Sequence, residues 1–202
     1  MIRKKIGLIL LACSIFALSG CSWFSNEMGK LKSALKGREA IIQTYDENSS
    51  IIDRIEGKSI DIGANGSFEI TDNEGNTVEK SSVLNISVGG KTMMHVGSSL
   101  ILREKGLIDV FDEYAKTADM INNDRSVPFL NKMVNGVKNL TTGQNILILV
   151  RSQTGKPLAS FVGNRVSYFA TDIDKSTGFI IDGKYLFIYR CDYTVYDLDL
   201  LR

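Results

Sequence analysis

Apolar and polar positions alternate in short runs along most of this chain, and the exceptions divide it into parts. The first exception is residues 6–17, an uncharged apolar stretch between Arg3, Lys4 and Lys5 and the segment Leu18-Ser19-Gly20-Cys21. The second lies in the middle, where Leu107, Val110, Phe111, Tyr114, Ala118 and Ile121 recur at three- and four-residue steps with Asp109, Asp112, Glu113 and Lys116 opposite them. That period predicts an amphipathic helix. Ser126 as N-cap and Pro128 in the first turn predict a second helix, burying Phe129, Leu130, Met133, Val134 and Val137 and ending over residues 139–143.

Elsewhere the period is that of strands. Before the helices, residues 40–45, 51–55, 59–62, 67–71, 83–88, 91–96 and 98–102 read as strands. Residues 46–49, 56–58, 63–66 and 72–76 read as turns, and Gly89-Gly90 offers the positive φ of a tight hairpin. After the helices the strands are 146–150, 157–162, 165–170, 178–181, 184–190 and 193–196. Thr154-Gly155, Gly163-Asn164 and Asp182-Gly183 join them.

The two β regions resemble each other. Residues 45–57 run as strand, turn, strand, glycine, and so do residues 151–163; Ser87-Val88-Gly89-Gly90-Lys91 matches Ile180-Ile181-Asp182-Gly183-Lys184 as a hairpin centred on Gly-Lys. A duplicated meander and two meanders alike only in composition both fit, because few identities link them.

The amino terminus has the three-part layout of an export signal. Residues 6–17 are too few to span a hydrocarbon core of ~30 Å as a permanent helix. Leu18, Ser19, Gly20 and Cys21 resemble the lipobox of bacterial lipoproteins. That resemblance implies cleavage between Gly20 and Cys21, with a diacylglyceryl group on the Cys21 thiol and an acyl chain such as palmitate on its amine. The expected organisation is a signal peptide over 1–20, a lipidated, membrane-proximal tether over 21–39 and one extracytoplasmic β-rich domain over 40–202. Within that domain lie a first β half (40–105), a helical insert (106–143) and a second β half (144–202).

Charge and cysteine count then narrow the class. The full chain has 24 basic and 23 acidic residues; cleavage removes three basic and no acidic ones, leaving a formal charge of about −2. Nothing there calls for nucleic acid. Of three cysteines, Cys13 leaves with the leader and Cys21 carries lipid. Cys191 is left without an internal partner, and packing has to stabilise the domain.

The stretch 152–158, the Gly163-Asn164 turn and residues 181–190 are similar to a family of Gram-positive lipoproteins known only as a domain of unknown function, with weaker likeness at Tyr45-Asp46 and Gly57. The resemblance implies an envelope location and supplies no activity. In the loop before the last hairpin this chain departs from that family, with Asp174, Lys175, Ser176 and Thr177 where the family carries Pro and Thr.

Candidate chemistry is sparse. His95 is the one histidine, and it sits on a strand beside Met93 and Met94, without a cysteine or a serine-containing elbow nearby in sequence. Asp172, Asp174 and Ser176 alternate ahead of Gly178, and Asp72, Glu74 and Asn76 alternate around Gly75. Each loop offers oxygen donors to calcium, although neither matches the EF-hand spacing and solvated turns explain both. Tyr185, Phe187 and Tyr189 alternate at strand spacing, either as core or as an exposed interaction face.

The expected fold class is α+β, mainly antiparallel, with two similar β meanders separated by two helices in a sandwich or barrel-like arrangement. The expected function is a non-enzymatic lipoprotein on the outer face of the cytoplasmic membrane. It would bind an envelope protein, wall polymer or small ligand, without a cofactor. A membrane-proximal hydrolase using a carboxylate site and a structural or exclusion factor acting on a membrane complex are the alternatives.

Overall fold

The computed structural model describes residues 35–118, 127–136 and 141–201. The leader, Gly20, Cys21, most of the tether, Ile121, Ser126, Val137 and Asn139 lie outside them. Among the described residues the chain forms fourteen strands: β1 (Glu39–Tyr45), β2 (Ile51–Lys58), β3 (Ile60–Ala64), β4 (Ile70–Thr71), β5 (Thr77–Glu79), β6 (Leu84–Val88), β7 (Lys91–His95), β8 (Ser99–Glu104), β9 (Ile146–Arg151), β10 (Pro157–Gly163), β11 (Val166–Ala170), β12 (Ser176–Ile181), β13 (Lys184–Tyr189) and β14 (Asp192–Asp197). Two short helices, α1 (Val110–Ala118) and α2 (Val127–Gly136), lie between β8 and β9 in the chain.

A six-stranded antiparallel sheet, ordered β11-β12-β13-β8-β1-β2, forms the centre. Both faces of its middle strands are covered. Ile42, Leu100, Leu102, Phe187 and Tyr189 point to one side and pack with Ile60, Ile62, Leu84 and Ile86 of the sheet β3-β6-β7. Tyr45, Ile101, Phe179, Leu186 and Ile188 point to the other and pack with Ile148, Val150 and Phe161 of the sheet β10-β9-β14. Strands buried on two faces read as unbroken apolar runs, which is why β8 and β13 show so little polar alternation. The helices form the outermost layer: Val110, Met133 and Val134 lie on Leu147 and Leu149, the far face of β9.

The expected α+β class is therefore incorrect. The protein is mostly antiparallel β in several sheets, and its two helices are short. The halves are not meanders held apart by helices; they are joined strand to strand where β8 pairs with β13, Leu102 facing Phe187 and Ile101 facing Ile188. Backbone groups of a buried strand must find partners, and each half completes the other.

Register supports the duplicated reading. Ala40 faces Gly57 in the first half and Ile146 faces Gly163 in the second, an offset of 106 residues (40 to 146, 57 to 163). Val88 faces Lys91 and Ile181 faces Lys184, an offset of 93. The two offsets also map β3–β6 onto β11–β12 and β1–β8 onto β9–β14, pair for pair. They differ by 13 because the first repeat has the longer connection between its third strand and its next hairpin. That connection holds a 3-10 turn at Gly66–Phe68 and the β4-β5 pair, where the sequence pattern had predicted one strand over 67–71.

Residues 56–58, expected as a turn, continue β2 instead. Gly57 is there for packing: a Cβ on it would stand 2.2 Å from Val88 Cγ1. Its counterpart Gly163 would meet Ile181 Cγ2 at 2.5 Å, and Val88 and Ile181 are themselves counterparts. A glycine inside a strand marks a close approach as readily as a turn.

Candidate functional site

Four connections at matching repeat positions converge on one side of the seam between the halves. Two are hairpin turns built alike. Asp46 Oδ1 accepts the Asn48 and Ser50 amides, both at 2.8 Å, while Ser49 takes a φ of 72°. Ser152 Oγ accepts the Lys156 amide at 3.1 Å, and Gly155, the counterpart of Ser49, has a φ of 82°. Short polar side chains at the first position and a left-handed fourth residue are what such turns require. The turns touch: Thr154 donates to the Glu47 carbonyl at 2.8 Å, and Lys156 Nζ donates to Asn48 Oδ1.

The other two connections follow β7 and β13. Gly97 and Arg190 are counterparts, and both have positive φ, 96° and 50°. Glycine adopts that region freely, whereas arginine there is strained by about 1–3 kcal/mol. The Arg190 backbone is nevertheless well held. Its amide donates to the Lys175 carbonyl at 2.8 Å, and its carbonyl accepts from Ser99 Oγ at 2.7 Å and Gln153 Nε2 at 3.4 Å.

Between these connections lies a cavity of about 300 Å³, lined by Tyr45, Glu47, Ser98, Gln153 and Arg190 among others. A second, more open one of about 520 Å³ shares Gln153 and Arg190 and extends to Lys175, Thr177 and Asp192. Arg190 thus borders both. Its Nε is buried and has no hydrogen-bond partner, and among the described residues no carboxylate pairs with its guanidinium.

The groups best suited to proton or nucleophile chemistry are held by other partners or by burial, although Tyr45 and Cys191 line the cavities. His95 Nε2 meets the Ser98 carbonyl at 2.9 Å, and its ring stands edge-on to Tyr189. Burial pushes the Cys191 thiol up to about 12, and its Sγ donates to the Tyr189 carbonyl at 3.3 Å. Burial, with Asp109 and Asp112 nearby, likewise holds the Tyr45 phenol well above its ordinary value.

Of the oxygen ligands singled out from sequence, Ser176 lines the more open cavity and the others lie outside both. Asp172 and Asp174 are exposed on either side of buried Ile173, and neither lines the two cavities. Ser176 Oγ donates to the Ile173 carbonyl at 2.8 Å and bonds the Thr171 hydroxyl. Among the described residues no three His, Cys, Asp or Glu side chains come close enough to hold a metal ion. Phe187 and Tyr189 are buried and Tyr185 is packed against the same core, so these three form no surface. Arg190 and Gln153 were missed. Extending the matched segments 87–91 and 180–184 by six residues sets Arg190 against Gly97, and that mismatch was the available signal.

Fold and cavity define a duplicated, mainly antiparallel β protein whose repeats flank a half-open cavity at their seam. The chain belongs to the family described as domain of unknown function DUF5052, whose model matches residues 3–201. No curated protein and no solved structure matches it.

Proposed function

We propose that this protein is a non-enzymatic, lipid-anchored lipoprotein on the outer face of the cytoplasmic membrane, which binds a small anionic ligand in the cavity between its repeats. The observation that carries the binding site is Arg190, a strained arginine where the sister repeat has glycine, which lines both cavities, keeps a buried Nε without a hydrogen-bond partner and forms no ion pair among the described residues. Strain of that kind persists where the surroundings impose it and the side chain has a use. A carboxylate or phosphate group is the partner a guanidinium fork fits best. The cavity's size lies at the lower end of the range for small-molecule sites, ~300–1,000 Å³.

The address rests on the leader, on Cys21 and on a family match that begins inside the leader, at residue 3. Among the described residues no helix is long and apolar enough to cross a membrane. Cys21→Ser is expected to abolish acyl labelling in cells; labelling that persists would remove the anchor.

Arg190→Gly tests the site. Without ligand the variant should be more stable than the parent by about 1 kcal/mol, because glycine relieves the left-handed strain. The parent's melting temperature should rise with at least one member of a panel of small carboxylates and phosphates, and the variant's should not. Destabilisation by Arg190→Gly would make the arginine a packing residue, and a ligand shift retained in the variant would place binding elsewhere.

A further inference from the structure

The two repeats meet through one strand pair, β8 with β13, and the matching pair is not formed. Under the repeat offsets β14 is the counterpart of β8, and β7 is the counterpart of β13. Both are terminal strands, β14 in the sheet β10-β9-β14 and β7 in the sheet β3-β6-β7. Those sheets cover opposite faces of the central one, so β7 and β14 cannot reach each other within the chain.

The side chains carry the same message. In the formed joint Leu100, Leu102, Phe187 and Tyr189 are each at most 1% exposed. Their counterparts at the open edges are Tyr193, Val195, Met94 and Val96, which are 40%, 41%, 62% and 57% exposed. Apolar side chains of this size at an unprotected sheet edge are a template for pairing with another chain. Charge agrees as well: Glu104, whose carboxylate accepts the Tyr185 amide at 3.2 Å across the joint, has an acid, Asp197, as its counterpart.

We propose that the protein associates head to tail with further copies of itself, β14 of one copy pairing antiparallel with β7 of the next in the register of the internal joint. That register places Val195 opposite Met94, Thr194 opposite His95 and Tyr193 opposite Val96. The contact is heterologous, since two different surfaces meet. It therefore propagates through more than two copies unless it closes into a ring. The inference does not depend on the ligand proposed for the cavity.

The test is a pair of cysteines placed across the expected contact. The full chain carrying Met94→Cys and Val195→Cys, solubilised in mild detergent and oxidised, is expected to give a disulfide ladder extending past dimers. Each single variant and the parent with its native cysteines should give no such ladder. Sedimentation equilibrium of the parent in density-matched detergent should show mass rising with concentration. Val195→Lys, which places a charge on an exposed edge and should leave melting unchanged, should weaken association at least about tenfold, the factor that ~1.4 kcal/mol carries. A chain that sediments as a monomer at every concentration overturns the proposal. So does association that survives Val195→Lys without a ladder in the double variant, because the contact then lies elsewhere.

Discussion

Phe187→Ala should cost the folded state about 3–5 kcal/mol, the range for emptying a large aromatic site in a close-packed core. The ring is fully buried in the middle of β13, between the central sheet and the sheet β3-β6-β7, where no layer can collapse independently of its neighbours. Against a typical total of ~5–15 kcal/mol, that is a large share of the margin. Denaturant titration is the check, with the midpoint falling and the slope unchanged. Tyr189→Phe on the same strand keeps the ring and loses only the hydroxyl bond to the Ser82 carbonyl at 2.6 Å, so it should cost about 1 kcal/mol. Tyr168, 75% exposed on edge strand β11, is the control: Tyr168→Ala should stay within ~0.5 kcal/mol. If Phe187 were part of an interaction face, its removal would resemble that of Tyr168.

What could be read from the sequence was what neighbours along the chain decide. Gly89-Gly90 and Asp182-Gly183 form the expected two-residue hairpins, all four residues with positive φ, because positive φ at both central positions is a local steric requirement. Most strands begin and end within a residue or two of where their alternation does. The matched segments 45–57 and 151–163 share one register. Pairing across the halves was not legible, since it joins β8 to β13 over some eighty residues and leaves no local mark. The tail aromatics were ambiguous for a related reason. A central strand covered on both faces and an exposed sticky strand are alike in sequence, and only the second covering sheet distinguishes them. Gly57 and Gly163 misled because a packing glycine and a turn glycine are the same letter. The cavity was hidden because its lining comes from residues near 46, 98, 153 and 190, which only the completed joint brings together.

The pH dependence of stability should be set by Asp109 between about pH 4 and pH 7. This aspartate caps α1 and clips it to β10: Oδ1 accepts the Phe111 amide at 3.0 Å, the Asp112 amide at 3.5 Å and the Ser160 amide at 2.9 Å. Burial, and then the neighbouring Asp112 carboxylate, push it up to about 7, against the pull of those amides and of Arg103. In the unfolded chain an aspartate titrates near ~3.9. Between these values the folded protein holds a proton that the unfolded chain has released. Stability must therefore fall as pH rises through the window, by at most ~1.4 kcal/mol for each pH unit crossed. Glu39 and Asp72 are shifted downward by their partners, so their contributions change below this window and with the opposite slope. Asp109→Asn keeps an oxygen for the three amides and carries no charge. Urea unfolding of that variant should be flat from pH 4 to pH 7, matching the parent at the acid end and exceeding it at neutral pH. Asp109→Ala should instead lose about 1–3 kcal/mol at every pH, because the Ser160 amide is left buried without an acceptor. A slope that persists in the asparagine variant would assign the titration to another group and leave Asp109 ionised in its cap.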